Sequence, residues 1–169
     1  MRPLLLLLLG CEVGPLTGVA AEARLKVGDA FPDLSKYSLE GTLPGSLTGK
    51  VIVVDFWASW CGRCKGSFEL LEQLHQRLTA RGLVILSINV DESRAAMEAF
   101  LKEHPVSFPV LRDKTKALVR AINIPSMPTF LVVDKEGRVR SIHGSFPTPE
   151  ARTKCLDEIE ELLKPGKPD

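Results

Sequence analysis

The chain has few cysteines, little net charge and no long apolar run, and each of these absences argues against a class of protein. Its four cysteines in 169 residues are too few for the disulfide scaffold of a small secreted protein. A formal net charge of +1, with the charged residues scattered, argues against a nucleic-acid-binding surface. The apolar run Leu4–Leu9 is too short to span a bilayer. The sequence has no internal repeats or low-complexity tracts, and its 44% hydrophobic content suffices for the core of one domain.

Residues that bind metals are also scarce. Cys61 and Cys64 have the spacing of half a zinc site, but a second half is missing. The remaining cysteines, Cys11 and Cys155, lie far apart and without a nearby histidine, and the three histidines show no ligand spacing. We therefore predict neither a metal nor another cofactor, with a structural zinc site as the alternative.

What the sequence does contain is a C-x-x-C motif, Cys61–Cys64, between a predicted strand and a predicted helix. The preceding run Val51–Trp57 is apolar and rich in β-branched residues, which is typical of a buried strand. The segment after the motif has helical periodicity, with an apolar stripe on one face: Phe68, Leu71, Leu74 and Leu78. The sequence therefore predicts that the cysteines lie at a helix N-terminus.

This position favours redox chemistry. The unpaired N–H groups and positive dipole end of a helix N-terminus stabilise a thiolate, which is the reactive form of cysteine. Cysteines at i and i+3 lie on one helical face, close enough for a disulfide. We predict that Cys61 and Cys64 cycle between dithiol and disulfide. A permanent structural disulfide is the alternative, although so short a loop would constrain the unfolded chain little.

The N-terminus has the pattern of a targeting segment. Arg2 precedes the apolar run Leu4–Leu9, and Ala21–Ala23 forms an A-x-A cleavage site. The predicted organisation is a signal over 1–23, a domain over 24–165 and a tail over 166–169. The alternative is a lipoprotein signal over 1–10, because the residues that end at Cys11 resemble a lipobox, whose lipidated cysteine would tether the protein to a membrane. Both interpretations predict export, and we expect the periplasm of a Gram-negative bacterium, an oxidising compartment.

The rest of the chain predicts alternating strands and helices. A second strand over Leu83–Asn89 would complete a β–α–β unit with parallel strands. A helix capped by Asp91 or Ser93 follows. Three further elements are predicted: a short helix over Thr115–Ala121, a hairpin of Thr129–Asp134 and Arg138–Ile142, and a helix from Thr148 to about Leu163.

The residues also resemble a known family. Val53–Lys65 is very similar to the thioredoxin active-site segment, and Val27–Asp33, Gly49–Lys50 and Pro128–Leu131 resemble the exported TlpA/ResA-like branch. The resemblance covers about Val27–Leu163. It implies an α/β thioredoxin fold, with a central mixed β-sheet flanked by helices, an N-terminal extension and a helical insertion before the cis-proline strand. It also implies thiol–disulfide oxidoreductase activity, in that branch often directed at apocytochrome c or another exported protein.

The resemblance assigns the chemical roles. Cys61 would be the nucleophile, and Cys64 the resolving thiol that releases the product from the mixed disulfide. Asp55 matches the family's buried carboxylate, whose raised pKa would suit it to carry a proton for Cys64; an Asp bonded to a loop backbone is the alternative. Pro128 matches the cis-proline that packs against the cysteines. Met127 would offer backbone groups to an extended substrate segment.

Three more residues complete the predicted substrate-binding set. Trp60 would form a partly exposed rim beside Cys61, with Gly62 and Arg63 next to it. Arg63 stands where the family most often has proline, and its charge is expected to stabilise the Cys61 thiolate. Glu69 replaces a proline that usually kinks the helix, which puts the kink in doubt.

We expect a monomer whose partners are disulfide-containing exported proteins and a membrane dithiol donor, with no nucleic acid. Reduction is the favoured direction, because the branch that the chain resembles mostly reduces exported substrates.

Two other functions are alternatives. A peroxiredoxin-like peroxidase needs T-x-x-C, but Ala58 occupies the Thr position; an exported copper carrier usually has C-x-x-x-C with a distal histidine, and only His143 is available. Cys155 lies on an apolar stripe and is expected to be a buried core thiol.

Overall fold

Five strands and four α-helices alternate along the part of the chain that the computed structural model describes, residues 24–145 and 148–165. The strands are β1 (Val51–Trp57), β2 (Leu83–Asn89), β3 (Val110–Arg112), β4 (Thr129–Val133) and β5 (Val139–His143). The helices are α1 (Lys65–Leu78), α2 (Arg94–Glu103), α3 (Ala117–Ala121) and α4 (Pro149–Leu162). Within the described ranges, no helix combines the length and apolar character needed to cross a membrane. The predicted signal segment, Cys11 and the predicted tail lie outside the described residues.

The strands form one mixed sheet in the order β3-β2-β1-β4-β5. β1 pairs in parallel with β2, from Val51 opposite Leu83 to Trp57 opposite Asn89. β4 pairs with β1 in the antiparallel direction, and β5 does the same with β4. Because β1 has a neighbour on each side and helices over its faces, all seven of its residues are buried, as its run of apolar residues, interrupted only by Asp55, predicts. The mixed sheet confirms the predicted thioredoxin-like fold.

Side-chain alternation along β1 divides the core into two layers. Val51, Val53 and Trp57 pack in one cluster with the apolar residues of α1, α2 and α4. The intervening Ile52 and Val54 pack in the other, with α3 and residues before β1. Successive side chains of a strand point to opposite faces. Asp55 therefore lies on the same face as Val53 and Trp57, the face that α1 covers.

Most predicted elements are present, and two differ for identifiable reasons. The edge strand β3 was not predicted, because its three residues are too few to show a period and its pairing comes from β2. The short helix was predicted from Thr115 but begins at Ala117, since Lys116 has a left-handed φ of 57°. Asp113 accepts hydrogen bonds from the backbone N–H groups of Ala117 and Val119, each at 3.0 Å. A side chain before the left-handed residue therefore caps this helix.

Residues 24–50 form the predicted N-terminal extension, which the sheet holds at two isolated bridges, Ala30 with Arg138 and Glu40 with Arg112. The buried Arg112 donates two hydrogen bonds to one carboxylate oxygen of Glu40, at 2.7 and 2.9 Å. These bonds lower the pKa of Glu40 below its ordinary value. Gly41 follows with a φ of +118°, and a Cβ there would lie 2.8 Å from the carbonyl oxygen of Val110. The extension therefore packs closely on β3.

Candidate active site

Cys61 and Cys64 lie between β1 and α1 and are joined by a disulfide, with their Cα atoms 5.4 Å apart. Cys61 immediately precedes a short 3-10 turn, Gly62–Cys64, that leads directly into α1. Its amide donates to the carbonyl oxygen of Ala58 at 3.0 Å. Cys61 is 6% exposed, whereas Cys64 is fully buried. The cysteine with access to solvent is thus the one at the N-terminal end of the helical segment, where a thiolate is stabilised.

Two of the predicted rim residues line different depressions near the motif. Trp60 is 72% exposed and lines a shallow depression with Ser59 and Lys116. Arg63 lines a separate cleft and donates a hydrogen bond from Nη2 to the carbonyl oxygen of Met127 at 3.3 Å. The Met127–Pro128 peptide bond is cis. The structure therefore brings the turn between the cysteines next to the cis-proline loop, 64 residues away in sequence.

Asp55 is fully buried in the middle of β1. Its Oδ2 atom accepts a long hydrogen bond of 3.5 Å from the Ser87 hydroxyl, and its Oδ1 atom has no hydrogen-bond partner among the described residues. Burial raises the pKa of Asp55 to about 8, and the bond from Ser87 opposes this rise. Among those residues no loop backbone N–H donates to the carboxylate. The alternative, in which Asp55 is bonded to a loop backbone, is therefore not what the structure has. A carboxyl group with a pKa this close to neutrality can both accept and donate a proton.

Ser67 contacts the backbone of Cys64, which the sequence analysis did not predict. Its buried hydroxyl donates to the carbonyl oxygen of Cys64 at 2.6 Å. A serine hydroxyl one turn into a helix commonly donates to a preceding backbone carbonyl. The position of Ser67 near the start of α1 was the only sequence signal for this bond. The bond satisfies a backbone acceptor in the turn that carries the disulfide.

Asp91 positions the loop before the motif. The sequence offered Asp91 or Ser93 as a helix cap, and Ser93 caps α2 by accepting from the amide of Ala96. The buried Asp91 carboxylate instead accepts from the amide of Ser59 at 2.9 and 3.2 Å and from the side chain of Asn89 at 2.8 Å. Because β1 and β2 are parallel neighbours, residues that follow their carboxyl ends lie side by side. This placement was the signal that could have identified Asp91.

We expect Asp91→Ala to lower the free energy of unfolding by about 2 to 4 kcal/mol, because it leaves the part-buried amide of Ser59 and the buried side-chain amide of Asn89 without this acceptor. Urea unfolding at neutral pH measures the loss. Asp157→Ala removes the same group from an exposed position on α4 and is the matched control, with an expected change within about 0.5 kcal/mol. Equal stability of the two variants would contradict the anchoring role of Asp91.

Cys155 is a free cysteine buried in α4, which confirms the predicted core thiol. Burial raises its pKa to about 12, and the nearby Glu158 adds to the rise. A thiol with so high a pKa holds almost no thiolate at neutral pH. Cys155 is therefore an unreactive thiol of the core. Among the described cysteines, Cys61 and Cys64 are the redox candidates.

Comparisons with known proteins agree with this geometry. The family model described as Redoxin matches residues 26–156. The chain is similar to the thiol-disulfide oxidoreductase ResA of Bacillus subtilis, with 27% identity over 99% of this chain and 94% of the relative. A ResA of Geobacillus kaustophilus is 28% identical, over 95% of each chain. A crystal structure from Chlorobium tepidum, assigned as a thiol:disulfide interchange protein DsbE, has a TM-score of 0.71 and 30% identity, and covers 83% of this chain and 99% of its own.

Proposed function

The chain belongs to the Redoxin family and is a thiol–disulfide oxidoreductase, and we propose that it reduces or exchanges disulfide bonds of other exported proteins. The observation that carries the proposal is the cysteine pair between β1 and α1, beside the cis-proline loop and on the sheet face that holds Asp55. Electrons would come from a membrane dithiol donor. Apocytochrome c is the substrate type that the resemblance favours.

The proposed cycle starts from the reduced dithiol. The Cys61 thiolate attacks one sulfur of a substrate disulfide; a bond forms between the two sulfurs, and the other substrate sulfur leaves as a thiolate. Cys64 then loses its proton and attacks the Cys61 sulfur. This step restores the Cys61–Cys64 disulfide and releases the second substrate thiolate. Two electrons have passed from the protein to the substrate, and the membrane donor returns them.

Asp55 is proposed to accept the proton of Cys64 in the second step. A base works best when its pKa is close to the working pH, and burial places the pKa of Asp55 at about 8. In the opposite direction, the protonated carboxyl can return a proton to Cys64 as the disulfide is reduced. Trp60, Gly62, Arg63, Met127 and Pro128 would surround the substrate segment at the exposed side of the pair.

Three assays on residues 24–169 separate this function from its alternatives. We expect the protein to accelerate the reduction of insulin by dithiothreitol, to consume no peroxide beyond the rate of a free thiol, and to bind no stoichiometric copper. Cys155→Ala, which removes the buried thiol of α4, is the control and should reduce insulin at the same rate. Peroxide turnover without insulin reduction would favour the peroxidase, and tight copper binding without it would favour the carrier.

A further inference from the structure

A cleft of about 280 Å³ opens beside the cysteine pair, between the start of α1, the cis-proline loop and the start of α4. Its lining includes Arg63, from the turn between the two cysteines, and Pro128 of the cis peptide bond. Arg152 of α4 and Ser145, which follows β5, line it as well. Ser67, whose hydroxyl bonds the carbonyl of Cys64, lies in the wall. The cleft therefore borders the turn that carries the disulfide and the loop of the cis-proline.

The charged residues that line this cleft are all positive. Arg63 and Arg152 are its charged lining residues, and no carboxylate is among the others: Gly66, Ser67, Leu70, Pro128, Phe130 and Ser145. Both arginines are exposed, and neither forms a salt bridge within the described part of the chain. Arg77, Arg81 and Arg94, in contrast, each pair with a carboxylate. Two uncompensated guanidinium groups at one cleft produce a local positive potential.

The donors of these arginines are mostly available. Arg63 uses one N–H for the carbonyl of Met127, and a guanidinium has five donors in a planar fork that matches a carboxylate. Cavities that hold a whole small-molecule ligand start at about 300 Å³, so this open cleft suits one or two side chains of a larger molecule. The apolar lining residues Leu70 and Phe130 would pack against the methylene groups of such side chains.

We propose that this cleft is a specificity subsite, in which Arg63 and Arg152 bind an acidic side chain of the protein segment whose disulfide is exchanged at Cys61–Cys64. The inference rests on the proposed function and names the class of substrate: exported proteins with an Asp or Glu close to the reactive cysteine. The carboxylate would accept charge-assisted hydrogen bonds from the two guanidinium groups. Arg63 would then bind the substrate carboxylate while it also bonds the carbonyl of Met127 in the cis-proline loop.

The test uses reduced protein and two disulfide-bonded peptides that differ only in whether Glu or Gln flanks the cysteine. The measurement is the second-order rate constant of disulfide exchange, followed by stopped flow. We expect the Glu peptide to react about tenfold faster at low salt, with the preference falling as salt is added. Arg152→Gln and Arg63→Gln should each reduce this ratio about twofold to fivefold, as expected for an exposed ion pair. A ratio cancels any change in the intrinsic reactivity of Cys61.

Two further variants make the test specific. Lys154→Gln removes the same charge from an exposed position of α4 outside the cleft and should keep the wild-type ratio. Arg152→Glu should turn the preference towards a peptide with Lys at the same position. If wild-type protein exchanges both peptides at one rate, or if both arginine variants keep the full preference, the subsite is wrong although the proposed function stands. If neither peptide reacts with wild-type protein, the proposed function itself fails.

Discussion

Cys61→Ser is expected to lower turnover by about 10³-fold or more, because it removes the nucleophile. Cys64→Ser is expected to lose multiple turnover as well, but to accumulate mixed disulfides between Cys61 and its substrates. The difference follows from the two steps of exchange: the first needs only the Cys61 thiolate, and the second needs Cys64 to release the product. The unequal exposure of the two cysteines supports this order of attack.

Mass spectrometry of the Cys64→Ser protein after incubation with an extract of exported proteins would identify the trapped substrates. In the reduced wild-type protein, thiol labelling at mildly acidic pH should mark Cys61 first, because it lies at the N-terminal end of the helical segment and Cys64 is fully buried. Cys155→Ala is the control, since the buried Cys155 thiol has a pKa of about 12 and should contribute no label in the native state. Faster labelling of Cys64 would reverse the assignment of nucleophile and resolving thiol.

Asp55→Asn is expected to raise the free energy of unfolding by about 2 to 4 kcal/mol at about pH 9. The carboxyl has a pKa of about 8 in the folded protein, against about 3.9 in an unfolded chain. Between these values the folded state holds a proton that the unfolded state has lost, so the unfolding free energy of the wild-type protein falls as pH rises through the window and levels off above it. The neutral amide carries no such penalty, although it needs hydrogen-bond partners of its own.

Urea unfolding of the oxidised protein from about pH 4 to about pH 9 would measure this difference. The two proteins should differ little at the acidic end and increasingly towards the alkaline end. Asp157→Asn on the exposed face of α4 is the matched control and should follow the wild-type curve. A constant difference across the range would show that the Asp55 carboxyl is not protonated in the folded protein at neutral pH.

The same variant separates a proton carrier from a structural carboxyl. Resolution of a mixed disulfide by wild-type protein should accelerate as pH rises through about 8, because Asp55 must be ionised to accept the proton. Asp55→Asn should resolve the mixed disulfide about 10²-fold more slowly at neutral pH, within the range of general-base contributions. Formation of the mixed disulfide by Cys61 should be unaffected. Unchanged resolution with the same pH profile would limit Asp55 to a structural role.

Local pattern in the sequence was enough to predict the elements that carry the chemistry. The run Val51–Trp57, apolar except for Asp55, indicated the central strand, and Leu83–Asn89 indicated its parallel neighbour. The cap and first-turn proline at Thr148–Pro149 indicated the last helix. These signals can be recognised in the sequence because each depends only on residues that are close neighbours along the chain. The resemblance to thioredoxin added what local pattern does not contain, including the cis peptide bond at Pro128.

Only the tertiary structure decided which distant residues support the site. Asp91 could cap a helix or anchor a loop, and the parallel pairing of β1 with β2 places it against the Ser59 amide. β3 is a strand only because β2 supplies its partner. Arg63 and Arg152 are 89 residues apart in the sequence (152 − 63), and the packing of α1 and α4 on one sheet face places them at the same cleft. Such contacts depend on how elements stack, which the period of any single segment does not encode.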